Sequence, residues 1–178
     1  MYQSSPLDHI DLNPFSKMKV SYATQVLSSQ VANILKKYHA GTEATAEFCQ
    51  YFDSFFDCVN VRNQDEGKKK RKEFLEPYRS TTDFRYDWLE NVFLKYLNDW
   101  KASVETRGEE GEFSPKEREK MFLSKPTYEG LIITSKSLIE TSRFVLNSGM
   151  PFFLPEKVNQ DCTEEHFGRH RRSGGTKC

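Results

Sequence analysis

The stretch Thr42–Asn60, TEATAEFCQYFDSFFDCVN, decides the fold class. Phe48, Phe52, Phe55, Phe56 and Val59 recur at steps of three and four residues, which sets them along one face of a helix. Thr42 and Thr45 are suited to cap its start, and Gly41 ends the helix before it. Upstream, Ala23, Leu27, Val31, Ile34, Leu35 and Tyr38 follow the same spacing and predict one helix. The opening segment 1–17 is polar and turn-rich, with Asn13-Pro14 marking a helix entry.

Downstream of Asn60 the periodicity fails. Residues 61–78 read as a loop whose GKKKRK run, Gly67–Lys72, is basic and solvated. Ser80 or Thr82 starts a third helix that buries Leu89, Val92, Phe93, Tyr96, Leu97 and Trp100. Glycines and glutamates from Glu105 to Phe113 predict an exposed linker. Ser114-Pro115-Lys116-Glu117 is a capping box with proline at the first helical position.

A longer helix is expected from Pro126 to Asn147, with Leu131, Leu138, Ile139, Val145 and Leu146 aligned and Gly149 as its cap. Pro151 and Pro155 make Met150–Val158 extended, and it is expected to be loosely packed. A last helix runs from Asp161 to Arg172, ahead of Gly174-Gly175. No stretch alternates apolar and polar residues, so the fold class is all-α.

Composition agrees with a packed domain. Apolar residues make up 37% of the 178, with 14 Phe, 8 Tyr and 2 Trp, a load that a disordered tail does not carry. The formal net charge is zero, so any attraction to a polyanion must come from local clusters. Two are present, Lys68–Lys72 and the trio Arg169, Arg171 and Arg172. Cys49, Cys58, Cys162 and Cys178 form no CxxC pair, and no secretory leader or run of ~20 apolar residues appears. Free thiols in a reducing compartment, and no membrane, are the expectation.

The sequence lacks GxxxxGK[ST], so no P-loop cradles phosphate. Asp161 and Glu164 have the spacing of a second capping box, which accounts for the pair without metal chemistry. Cys162, His166 and His170 share one helical face, but three ligands on one helix do not close a tetrahedral shell.

Two stretches carry a family likeness. LNPFSKMKVSYATQVLSSQVANILKKY, Leu12–Tyr38, and VNQDCTEEHFGRHRRSGG, Val158–Gly175, resemble segments of the P element transposase family, which includes THAP-domain-containing transposase-like proteins. TAEFCQYFDSFFDCVN, YRSTTDFRYDWLENVFLKYLNDW and YEGLIITSKSLIETSRFVL resemble further family segments in the same order.

The resemblance implies a helical GTP-binding insertion domain over residues 1–125. An RNase H-like C-terminal segment follows over 126–178. It assigns Glu164 to the catalytic acid that shares Mg²⁺ with two aspartates, and Asp57, Asn60 and Asp161 to nucleotide contact. Arg169, Arg171 and Arg172 become DNA contacts at transposon ends, the compartment becomes the nucleus, and a homo-oligomer is implied. The aspartate-bearing segments of the family precede Leu12, so the expectation is a fragment or domesticated remnant, inactive alone. The competing expectation is a helical interaction module without transposition chemistry.

Overall fold

The computed structural model describes residues 20–109, 111, 113–158, 166, 167, 169 and 170. Among these every regular element is helical, and the one extended pairing is an isolated antiparallel bridge between Tyr78 and Phe153. The chain divides into two compact units, Met1–Asp57 and Cys58–Cys178.

The first unit holds α1 (Val20–Val26), α2 (Ser29–Tyr38) and most of α3 (Glu43–Val59). The single helix expected through Ala23 and Tyr38 is two helices. Ser28 breaks it by adopting an extended conformation (φ −120°, ψ 155°) and accepting the Val31 N–H as an N-cap. Its hydroxyl also donates to Gln25 O at 2.9 Å, so one side chain serves both helix ends.

The break re-aims the stripe. Ala32 becomes fully buried with Ala46 and Cys49, surrounded by Leu27, Val31, Leu35 and Phe48, whereas Ile34 and Tyr38 are exposed. Ser29 and Asp53 share a hydrogen bond between α2 and α3. Gly41 turns the chain at φ +83°, a conformation that costs glycine little. Thr42 Oγ1 then donates back to His39 O at 2.7 Å.

The second unit opens with α4 (Glu66–Lys70) and a 3₁₀ turn, Glu73–Leu75. Residues 61–78 are therefore an ordered turn, because the buried Gly67 lets the backbone of α4 lie against Leu75 and Glu76. Asp83, rather than Ser80 or Thr82, caps the third helix by accepting the Arg85 N–H at 3.1 Å. That helix runs without a break through α5 (Phe84–Asp87), a π-helical segment (Trp88–Phe93) and α6 (Leu94–Glu109).

In the π segment the Leu94 N–H reaches back to Leu89 O. The wider turn lets Leu89, Phe93 and Leu94 all be buried, with Leu97 and Val104 following. Each of the larger apolar side chains contributes about 1.5–3 kcal/mol by leaving water. The first part of the expected linker, Glu105–Glu109, is the last turn of α6, while Gly111 and Phe113 lie in a turn and a bend. Good helix formers there, Glu105, Arg107 and Glu109, outweigh the single Gly108.

Beyond it come α7 (Pro115–Arg118), a 3₁₀ turn (Glu119–Met121), and α8 (Lys125–Asn147). The Glu117 carboxylate accepts the N–H of Ser114 at 2.9 Å and its hydroxyl at 2.6 Å. These bonds hold its acid below the usual carboxylate range. Ser124 caps α8, and Gly149 (φ +90°) lies just past its end, as the sequence reading expects.

Arg85 organises this unit. Its guanidinium is almost fully buried and forms a fork to Asp83, Nε to Oδ1 and Nη2 to Oδ2, both at 2.8 Å. Nη1 donates to Phe74 O at 3.1 Å and also to Glu76 O. The same group lies 3.5 Å from the centroid of the Tyr78 ring, which stacks on Tyr86.

Tyr78 donates its hydroxyl to Cys58 O at 3.1 Å, and its backbone exchanges two hydrogen bonds with Phe153. Phe153 and Pro155 are buried, so the middle of Met150–Val158 is packed rather than loose, while Met150 and Val158 at its ends are exposed. Its last residues, Pro155–Val158, form a 3₁₀ turn instead of extended chain. Tyr86 hydrogen-bonds Ser142 Oγ on α8 at 2.8 Å.

Two predictions follow from this burial. Arg85→Met leaves the Asp83 charge and two carbonyls without their donors, and should lower unfolding free energy by about 3–5 kcal/mol in urea titration. A loss under about 1 kcal/mol would show the fork to be dispensable. Burial also pushes the Tyr78 phenol well above its ordinary value, and the Tyr86 phenol up as well. The unfolded phenol ionises first, so this stabilisation is whole below the ordinary value of 10.0 and is lost as pH rises past it. Absorbance titration should therefore show two tyrosines ionising only together with alkaline unfolding.

Candidate functional site

A cleft of about 570 Å³ opens where α3 ends against the middle of α8. Val59 and Asn60 supply one wall, and Phe153, Pro155 and Val158 another. From α8 come Ile133, Thr134, Ser137, Leu138 and Thr141. Thr134, Ser137 and Thr141 stand at steps of three and four, so one helical face presents three hydroxyls. Leu138 and Phe153 are buried and form an apolar floor.

None of the lining residues is ionisable. The cleft can hold a flat, polar-edged group through hydroxyls and an amide over an apolar floor. It cannot neutralise a phosphate chain by itself. Its size lies within the range of small-molecule sites.

The residues singled out by sequence fare differently. Asn60 lines this cleft. Asp57, in the last turn of α3, is half-buried and belongs to the first unit. Arg169 is exposed. Asp161, Glu164, Arg171 and Arg172 lie outside the described residues, as do Cys162 and most of the helix expected from Asp161 to Arg172. His166 and His170 are described, with ring centroids 4.4 Å apart.

Among the described residues no group of three His, Cys, Asp or Glu side chains could hold a metal ion. Cys49 and Cys58 are buried and not in a disulfide, and burial pushes the Cys49 thiol up. Among the described residues no helix is long and apolar enough to cross a membrane.

The hydroxyl face of α8 escaped the sequence reading. Its signal was present in the spacing of Thr134, Ser137 and Thr141, but polar positions flanking an apolar stripe resemble an ordinary solvent face. A second cleft, about 700 Å³, lies among α6, α7 and the start of α8. Lys101, Arg118 and Lys125 there face Glu105, Glu119 and Glu129, so its charges balance.

Residues 5–72 match the family model of the TNP-like, GTP-binding insertion domain. The transposable element P transposase of Drosophila melanogaster is 26% identical over 172 residues, covering 94% of this chain and 20% of that protein. The chain thus spans about a fifth of that curated relative's length. Among solved structures, the Drosophila P element transposase strand transfer complex matches with a TM-score of 0.62 at 23% identity, over 94% of this chain and 35% of that one. The chain thus shares the helical fold of part of that solved protein, and its residues 5–72 are similar to the TNP-like, GTP-binding insertion domain.

Proposed function

We propose that this chain is the GTP-binding part of a P element-like DNA transposase, acting within a larger cut-and-paste assembly at transposon ends in the nucleus. The observation that carries the reading is the placement of Asn60. The resemblance names it as a nucleotide contact, and it lines a neutral cleft suited to a nucleoside. The match of residues 5–72 to a GTP-binding insertion domain supports the choice of nucleotide. The resemblance carries Asp57 and Asp161 to the role of acceptors for the guanine N–H groups.

In this reading the C-terminal part, residues 126–178, continues into an RNase H-like segment. Glu164 is its catalytic carboxylate. One carboxylate cannot hold two Mg²⁺ ions, since each needs about six oxygen ligands. Glu164 would work only beside two aspartates of the same assembly, with Arg169, Arg171 and Arg172 against the DNA backbone. A THAP-type DNA-binding module and self-association belong to the same proposal.

A second reading has its own observation. Phe144, Ile133 and Met150 are strongly exposed along and just past α8, which suits a helical module that docks on a partner.

Calorimetry of the chain with GTP separates the two. Saturable GTP binding is expected, weakened about tenfold by Asn60→Ala, the worth of one hydrogen bond to a polar ligand edge. Asp57→Asn should lose GTP affinity while sparing XTP, whose base offers an acceptor where guanine offers a donor. Absence of GTP binding at millimolar ligand, with a stable monodisperse complex with another protein, would replace the first reading by the second.

A further inference from the structure

We propose that Lys68, Lys69 and Arg71 on the α4 turn, together with Arg79, form a surface that grips the phosphate backbone of duplex nucleic acid. The identity of the polyanion rests on the transposase-like reading. The surface itself rests on geometry.

All four side chains are exposed, and none is in an ion pair among the described residues. Lys70 differs, because Glu66 holds its ammonium at 2.6 Å. That pairing also removes Glu66 as a competitor for the others. Asp65 and Glu73 also flank the turn and are exposed, and the half-buried Glu76 lies against Gly67. Arg79 Nη2 donates to Gln64 Oε1 at 3.1 Å, which sets it beside the residues entering α4. Its guanidinium also lies 5.5 Å from the Phe152 ring centroid.

The turn is mounted on the core. A Cβ at Gly67 would meet Glu76 Cγ at 2.7 Å, Glu76 N at 2.8 Å and the Leu75 carbonyl carbon at 2.9 Å, so only glycine allows this seating. Arg71 is the one described non-glycine residue at positive φ, +54°, and its N–H closes on Lys68 O at 3.2 Å. Lys72 N–H adds a bond to Gly67 O at 2.9 Å. A left-handed conformation in a side-chain-bearing residue is uncommon and persists where its surroundings hold it. A charge run that merely kept a loop in solution would need neither the buried glycine nor the fixed turn.

Each cation that meets a phosphate releases about 0.9 counterion, so four contacts give log K a slope near −3.6 against log salt. With zero net charge on the chain, such a slope must come from a localised patch.

The test is fluorescence anisotropy of a labelled duplex of ~20 base pairs across about 50–200 mM salt. The triple variant Lys68→Gln, Lys69→Gln, Arg71→Gln should bind at least about tenfold more weakly at the low end, with a slope shallower by about 2.7. A control triple, Lys95→Gln, Lys101→Gln, Lys136→Gln, removes the same charge from α6 and α8 and should leave the slope unchanged. Gly67→Ala keeps every charge but unseats α4, and should weaken binding while circular dichroism stays helical.

Equal losses in both triples, or an unchanged slope in the α4 triple, would overturn the proposal and leave the GTP reading standing. A wild-type chain that binds GTP but no duplex overturns it equally. Failure to bind either ligand removes the functional reading as well. Capture by phosphatidylserine vesicles through these residues, with none by duplex, would reassign the surface to membrane and likewise overturn the proposal.

Discussion

The buried fork between Arg85 and Asp83 is the constraint on which the second unit depends. A guanidinium removed from water is tolerated only when its donors are met. Here the acceptors come from Asp83 and from the carbonyls of Phe74 and Glu76. Fixing those carbonyls fixes the 3₁₀ turn Glu73–Leu75, against which Gly67 seats α4. The guanidinium also covers the Tyr78 ring. Through Tyr78 the constraint reaches Phe153 and, with it, the floor of the cleft. One charged side chain thus ties the cationic turn to the polar-walled cleft.

Helix existence was legible in the sequence because α3, α6 and α8 bury long apolar stripes that repeat at helical steps. What the sequence concealed depended on single polar residues. Ser28 breaks a continuous stripe by capping, and nothing in the spacing of Leu27 and Val31 announces it. Arg85 is invisible to a periodicity reading, since a charged residue is normally assigned to solvent. Its burial follows from carbonyls nine and eleven residues upstream in the chain. The run from Asn60 to Tyr78 lacks periodicity for that reason. Its order is imposed by hydrogen bonds to Arg85 and by a glycine fit, not by its own apolar face.

The candidate site divides along the same line. Asn60 was reachable through the family likeness of FDCVN, and the structure sets it on the cleft. Thr134, Ser137 and Thr141 were not, because hydroxyls beside an apolar stripe carry no mark that separates a ligand face from a wet one. Their meaning comes from what lies opposite: Phe153 and Pro155, held in place by the Tyr78 bridge. A segment expected to be loose is therefore the wall that makes the cleft.

Charge placement gives the last step. Acids and bases balance over the chain, 26 of each, yet they are not mixed evenly. The cleft beside Asn60 contains no ionisable side chain, while the α4 turn gathers cations whose acidic neighbour Glu66 is already engaged. A neutral cleft discriminates by hydrogen-bond pattern, since a mismatched donor or acceptor there goes unmet. A cationic turn on the surface discriminates little, because every phosphate presents the same charge. Selectivity and grip are thus separated in space within one unit, and Arg85 is the link between them. A ligand with a polar base and a phosphate tail would have to leave its phosphates outside the cleft, where cations from elsewhere must meet them.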